Sequence, residues 1–315
     1  MQNKITAQNT ILKTDANLFL KGINTIKSRG IFYFLKKTLK VIFLLLKRFF
    51  REYIPLKVLF LFSKKGEIVK RVQGNKMILN LNDVGISREL TVYGVHESQS
   101  TAVVKSIITP GMKILEVGAN IGYYALLETR LAGASGHLYA MEPSPFNFSL
   151  LERNLKLNGL NNYDLYKTAA GAENGTAKFL LSGRSNLSTF IEREDLTGEE
   201  VDVNVITLDD FMKDKKVDFI RMDVEGYEGE ILKGAEKALA EGNRPKYFFI
   251  EIHSELLHKK KSSAKDIVEY LGKFGYEVRK SFWRGHKDTQ VSSSKDMLDH
   301  PLCEVAYWET FFELK

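Results

Sequence analysis

Between residues 113 and 253, short apolar runs alternate with longer segments of helical period, and this alternation is the strongest constraint on the fold. The runs are KILEVG (113–118), GHLYAME (136–142), DLYKTAA (164–170), VDFIRMD (217–223) and KYFFIEIH (246–253). Each is short and bounded by turn-forming or charged residues, as a buried strand is. Between and after them lie amphipathic helical candidates at 121–132, 144–158, 226–241 and 262–274. Strands apolar on both faces, separated by helices, imply a mostly parallel sheet covered on both sides. KMILNLND (76–83) predicts a further strand and ESQSTAVVKSII (97–108) a helix. YEVRKSFW (276–283) and EVAYWETFFEL (304–314) predict two closing strands joined by the polar stretch 285–299. The pattern begins near residue 76, so the expected division is an N-terminal basic, amphipathic helical extension over 1–75 and an α/β domain over 76–315.

The extension carries most of the chain's charge imbalance. The net charge is +7, and the excess is concentrated in FLKKTLKVIFLLLKRFFRE (34–52). Its longest uncharged run, VIFLLL, falls far short of the roughly 20 apolar residues a membrane span needs. On a helix at about 100° per residue, Lys36, Lys37, Lys40, Lys47, Arg48 and Arg51 fall in a wedge of about 120°. Phe34, Leu35, Leu39, Ile42, Leu45, Leu46, Phe49 and Phe50 take the opposite side, and Pro55 is expected to end the helix. Two readings stay open for residues 31–52: peripheral contact with a membrane surface, or packing of the apolar side on the domain. The single cysteine, Cys303, excludes a disulfide framework and a multi-thiolate zinc site. It fits a reducing compartment, so the expected location is the cytoplasm, with peripheral attachment at the inner face of the membrane as the variant. Residues 1–30 are polar and weakly patterned.

Chemistry-bearing residues fall at the carboxyl ends of the apolar runs, where ligands bind in doubly wound sheets. In EVGANIG, Glu116, Gly118, Asn120 and Gly122 give the spacing G-x-N-x-G, which lacks the third glycine of a dinucleotide fingerprint. Glu116 would repel a phosphate but suits a ligand with a cationic amino-acid end, such as S-adenosylmethionine. Glu142 ends the second run, where a carboxylate can accept both hydroxyls of a ribose. Pro143 and Ser144 then open a helix, Ser144 as its N-cap. RMDVEG places Asp223 and Glu225 at the fourth strand tip, and FIEIHSE places Glu251 and His253 at the fifth. Such carboxylates can hold the methionine end, orient an acceptor, serve as base or bind a divalent cation. Taken singly, Glu142 also fits a solvated strand-end acid, Glu225 a helix-dipole complement, Gly226 a turn residue, and His253 a structural histidine.

Together, EVGANIGYY, AMEPSPFNFSLLERNLKLNGL, TAAGAENGTAKF, VITLDDF, IRMDVEGYEGEILKGAEKAL and RPKYFFIEIH resemble, in order, the FkbM family of S-adenosylmethionine-dependent methyltransferases over residues 112–253. The resemblance implies a Rossmann-like class I methyltransferase fold, with a seven-stranded, mostly parallel sheet and helices on both faces. It implies S-adenosylmethionine as cofactor, held by Glu116, Gly118, Asn120, Gly122, Tyr123, Glu142, Pro143, Ala170 and Asp223. Ala169 or Ala170 would lie by the adenine, and SGRSNLST (182–189) near the pocket. The candidate catalytic residues are Asp223, Glu225 and His253, and no residue is assigned as a metal ligand.

DVEG stands where methyltransferases acting on exocyclic amines of bases carry [N/D]-P-P-[Y/F], and Cys303 lies outside any nucleophile loop, so nucleic acid is not expected as a partner. The resemblance points to O-methylation of a hydroxyl on a sugar, glycan precursor or polyketide-like small molecule. Surface-polysaccharide biosynthesis is the setting that membrane contact would favour. The competing readings are a non-catalytic, membrane-associated binding module that keeps the fold and a nicotinamide-dependent oxidoreductase.

Overall fold

The computed structural model describes residues 31–48, 54–63, 65–182, 188–190, 198–240, 242, 244–284 and 289–315. The chain divides into two compact units, Met1–Phe62 and Ser63–Lys315. In the first, helix α1 spans Ile31–Arg48 and α2 spans Ile54–Phe62. Pro55 therefore does not end the basic helix; it occupies the first turn of the next one, where a missing N–H costs nothing. Along α1, Leu35, Leu39, Ile42, Phe43 and Leu46 are exposed together with Lys36, Lys37 and Lys40. The side chains of Phe34, Leu45, Lys47, Arg48, Phe49, Phe50 and Arg51 lie outside the described residues. Among those described, no helix is long and apolar enough to cross a membrane.

The second unit opens with a hairpin, β1 (Glu67–Val72) and β2 (Asn75–Asn80), paired from Glu67–Asn80 to Val72–Asn75. This pairing draws residues before 75 into the larger unit. Helices α3 (Ile86–Tyr93) and α4 (Ser98–Ile107) follow, then β3 (Lys113–Val117), α5 (Tyr123–Ala132), β4 (His137–Met141), α6 (Pro145–Leu157) and β5 (Tyr163–Tyr166). Next come β6 (Ala169–Ala170), β7 (Gly175–Ser182), β8 (Gly198–Ile206), α7 (Leu208–Met212), β9 (Phe219–Met222), α8 (Glu228–Lys233), α9 (Glu236–Ala240) and β10 (Tyr247–His253). The chain closes with α10 (Ser254–Leu257), α11 (Ala264–Lys273), β11 (Tyr276–Trp283), β12 (Gln290–Val291), α12 (Ser294–Leu298) and β13 (Tyr307–Leu314).

The main sheet runs β12-β11-β13-β10-β9-β3-β4-β5. Strands β5, β4, β3, β9 and β10 are parallel, and β13 runs antiparallel between β10 and β11. This is the expected Rossmann-like α/β sheet, with eight strands instead of seven. The added strand is the edge pair Gln290–Val291, which takes two partners on β11 from within the polar connection. Two other expectations are corrected. The run 164–170 splits because the chain leaves the main sheet after Tyr166, Thr168 donating to the Asn204 carbonyl at 2.9 Å, and Ala169–Ala170 join β8 in a separate sheet, β6-β8-β7. The helix expected over 226–241 breaks at Gly234, where a Cβ would stand 2.1 Å from the Gly171 carbonyl oxygen. The backbones meet too closely there for any side chain.

The two faces of the sheet are not equivalent. Leu115, Val117, Ile220, Met222, Phe248, Ile250 and Ile252 join one core with α7, α8, α9 and α11, whereas Ile114, Phe219, Phe249 and Phe311 join the other with α3–α6. Strand alternation then puts Glu116, Arg221, Glu251 and Glu309 on the second face, near the carboxyl ends of the parallel strands. Glu116 is level with Arg221, and Glu251 with Glu309. Arg221, 3% exposed, donates to Glu116 at 2.8 Å and to Asp223 at 3.1 Å. Its guanidinium lies 3.9 Å from the Tyr124 ring centroid and 5.1 Å from that of Phe249. Behind Glu116, burial and the neighbouring charge of Glu116 hold the Glu128 carboxyl well above the usual range, so it stays protonated. Arg221→Met would strand Glu116 as a buried, unpaired charge, an expected cost of about 3–5 kcal/mol. Chemical denaturation measures it; an unchanged midpoint would show that Glu116 is neutralised without Arg221, by a proton or another cation.

Candidate active site

The strand order reverses between β3 and β9, and a cavity of about 580 Å³ opens there beside the carboxyl ends of β3, β4 and β9. Val117, Met141, Ala169, Ala170, Phe179, Phe190, Tyr227 and Ile231 give it apolar walls. Three carboxylates, Glu142, Asp223 and Glu225, also line it, and among the described residues no Lys, Arg or His does. Those acids disfavour a pyrophosphate and suit a ligand with an apolar ring, a diol and positive charge. S-adenosylmethionine has all three.

Glu142 is built into the site. It is 4% exposed, and its two oxygens accept from the Asn120 N–H at 2.7 Å and the Ser144 N–H at 2.9 Å. Burial nevertheless outweighs these bonds and raises its carboxyl to about 7. Ser144 caps α6, accepting from the Asn147 N–H, with Pro145 at the first helical position. Asn120 adopts φ +51, a left-handed conformation that asparagine tolerates.

The glycines serve packing as much as access. Gly118 has φ +85, and a Cβ there would stand 2.1 Å from the Asp223 carbonyl oxygen, so the β3–α5 turn presses directly on the end of β9. Gly122 caps α5, and its missing Cβ makes room for Leu151 of α6. It borders neither cavity described here.

A second, more polar cavity of about 390 Å³ adjoins the first, sharing Gly118, Asn120, Asp223 and Glu225 with it. Its other walls include His96, Glu116, Tyr123, Tyr124, Arg221 and Arg284. Glu116 is therefore not a free carboxylate awaiting a cation, since Arg221 already pairs with it. Of the sequence candidates, Gly118, Asn120, Glu142, Pro143, Ala170 and Asp223 line the first cavity, and Glu116 and Tyr123 the second. Asp223 and Glu225 stand at the junction. His253, 2% exposed, lines neither: its Nδ1 lies 2.7 Å from Glu228 Oε1. Although burial opposes it, the surrounding Glu225, Glu228 and Glu251 hold the His253 imidazolium well above its ordinary range. Of the stretch 182–189, residues 183–187 lie outside the described residues, while Ser188 lines the first cavity and Thr189 donates to the Glu225 carbonyl at 3.0 Å.

Sequence reasoning did not assign Arg221, Glu97, Glu228 or Arg284. Arg284 pairs with Glu251 and, at 3.2 Å, with Glu97; Glu97 also faces His96 at 2.7 Å. Only Arg221 left a legible signal, a cation inside an apolar strand run, which must find a buried partner.

A model of the methyltransferase FkbM domain matches residues 116–278. The chain belongs to the FkbM methyltransferase family. S-adenosylmethionine is the cofactor of these proteins, and the donor set of the first cavity suits it. A relative from Beauveria bassiana, "Methyltransferase 1", is 27% identical over 145 residues, covering 39% of this chain and 58% of its own. A protein-L-isoaspartate O-methyltransferase from Methanothrix thermoacetophila is 46% identical over 46 residues, 15% of this chain and 22% of that one. The FkbM chain thus spans less than two thirds of either curated relative. Among solved structures, M. jannaschii TYW2 in complex with AdoMet is similar with a TM-score of 0.40 and 14% identity, over 80% of this chain and 89% of that one.

Glu142 sets a pH dependence. Burial pushes its carboxyl up to about 7, so the carboxylate prevails above that pH and is lost below it. The affinity for S-adenosylmethionine should be highest above pH 7 and weaken as pH falls, by up to about tenfold per unit. Glu142→Gln should bind weakly with a flat profile between pH 5.5 and 8.5. Calorimetry across that range checks both; an equal slope in the variant would assign the titration to another group.

Proposed function

We propose that this FkbM protein is an S-adenosylmethionine-dependent O-methyltransferase that acts on a hydroxyl of a sugar, glycan precursor or polyketide-like small molecule. The observation that carries this reading is the pair of adjoining cavities that meet at Asp223 and Glu225. The apolar one with Glu142 would hold the adenosine, and the polar one leaves room for a hydroxylated acceptor. The turn Asp223-Val224-Glu225-Gly226 supports the choice of oxygen, since it carries no [N/D]-P-P-[Y/F] loop for an exocyclic amine. The absence of basic side chains among the described residues of the first cavity also counts against a nicotinamide dinucleotide.

When bound, S-adenosylmethionine supplies a methyl group already activated on a sulfonium. The protein's task is then mainly alignment, which can supply on the order of 7–11 kcal/mol. Asp223 and Glu225, which line both cavities, would hold the acceptor hydroxyl and receive its proton, a contribution of about 10²–10⁴-fold. His253, which lines neither cavity and is held by Glu228, stands apart from this step.

The mixture of leucines, phenylalanine and lysines along α1 fits a helix that lies peripherally on an anionic membrane surface, near a lipid-linked acceptor. The intact chain should sediment with phosphatidylglycerol vesicles, and a chain lacking residues 1–60 should not. Equal recovery of both in the supernatant would remove the membrane from the proposal.

For the enzyme reading, calorimetry should show saturable binding of S-adenosylmethionine but not of NAD, much weakened in Glu142→Ala. Transfer of a labelled methyl group to a panel of sugars and polyols then tests the acceptor class. No binding of S-adenosylmethionine by the intact protein would favour a non-catalytic binding module.

A further inference from the structure

Behind the junction of the two cavities lies a cluster of which the methyl-transfer reading uses only Asp223. Glu251 and His253 are two residues apart on β10 and share a face of the sheet, and Ile250 is level with Met222, which brings Asp223 alongside Glu251. Asp223, Glu251 and His253 each offer a ligand atom within 4.8 Å of the others. Opposite ligands of one ion at about 2.1–2.2 Å stand about 4.2–4.4 Å apart, so small side-chain rotations bring all three onto one centre.

The histidine is oriented as a ligand is. Glu228, fully buried, takes the Nδ1 side at 2.7 Å and fixes the ring. Buried carboxylates in that position are the usual outer partners of metal-binding histidines. The other nitrogen, Nε2, faces Glu251 Oε1 at 3.6 Å and Glu225 Oε1 at 3.7 Å. Both distances are too long for hydrogen bonds. They correspond to angles of about 110–120° at an ion about 2.1–2.2 Å from each atom.

A second observation concerns the same carboxylate. Glu251 is 1% exposed, and while its Oε1 pairs with Arg284, its Oε2 is buried with no hydrogen-bond partner. Leaving a carboxylate oxygen unmatched inside a protein is costly. A cation shared with Asp223 and His253 removes that cost.

We propose that Asp223, Glu251 and His253, with Glu225 beside them, form a binding site for one divalent first-row transition-metal ion at the junction of the cavities. An imidazole with carboxylates suits Mn²⁺, Co²⁺ or Zn²⁺ better than Mg²⁺ or Ca²⁺, which prefer all-oxygen sites. The ion takes the place of the ring proton on Nε2. Because Asp223 and Glu225 also line both cavities, the ion's open positions face the acceptor side and suit a hydroxyl or vicinal diol. That last role rests on the O-methyltransferase reading; the binding of the ion does not.

The test uses the full chain, stripped with chelator and titrated with Co²⁺ by visible absorption, without S-adenosylmethionine. We expect one Co²⁺ per chain, weakened about tenfold or more in His253→Gln and in the isosteric Glu251→Gln. Glu142→Ala, which alters only the adenosine side, should bind Co²⁺ within about twofold of the wild type. Pulsed electron paramagnetic resonance of the wild type loaded with Mn²⁺ should show coupling to an imidazole nitrogen, a readout that needs no variant to fold. No saturable Co²⁺ binding by the wild type, undiminished binding in folded variants, or Mn²⁺ bound without nitrogen coupling would each overturn the site. Binding of S-adenosylmethionine is measured separately by calorimetry: a chain that binds Co²⁺ but not S-adenosylmethionine leaves the metal site standing and the cofactor reading fallen, and a chain that binds S-adenosylmethionine but not Co²⁺ does the opposite.

Discussion

The buried guanidinium of Arg221 holds the centre of this molecule together. It stands on β9, beside the point where the strand order reverses, and pairs with Glu116 on one side and Asp223 on the other. Its charge lets the carboxyl ends of the strands carry acids inside a low-dielectric sheet. The aromatic rings of Tyr124 and Phe249 cover its faces, so that little of it is left to water. An Arg→Lys exchange would not reproduce this arrangement, because the planar fork and the ring stacking depend on the guanidinium.

Much of the sheet was legible in the sequence because buried parallel strands have a simple signature. KILEV, HLYAM and YFFIEIH read as strands from apolar content alone, and the helices between them from their period. What failed were places where a local pattern yielded to a distant contact. DLYKTAA reads as one strand, yet Ala169–Ala170 pair with β8, a partner some 35 residues away in the chain. The helix through Gly234 breaks against Gly171, a contact with no local trace. The eighth strand consists of two residues, too few to leave a period.

At the site, residue types were easier to read than roles. Glu142 was found from its spacing after the glycine turn, and the structure places it in the cavity. Glu116 was found too, but its match with Arg221 depends on register between β3 and β9, which only the folded sheet reveals. Gly118 and Gly122 read as openings for a ligand, whereas their missing side chains mainly let Asp223 and Leu151 approach. His253 read as a candidate base at a strand tip, and nothing in the sequence singled out its partner Glu228.

The small three-stranded sheet gives the cofactor cavity a wall of a different kind from the rest. Phe179 from β7 and Phe190 from the segment after it stack edge to face and both line the cavity, and Phe190 also meets Tyr227 from the β9 side. Thr189, between them, holds the Glu225 carbonyl. The aromatic wall of the cavity and the anchoring of the Glu225 backbone thus share one short stretch of chain. Insertions or exchanges in this segment cannot retune one without disturbing the other, so a change of acceptor is more freely accommodated on the opposite rim, around His96 and Arg284.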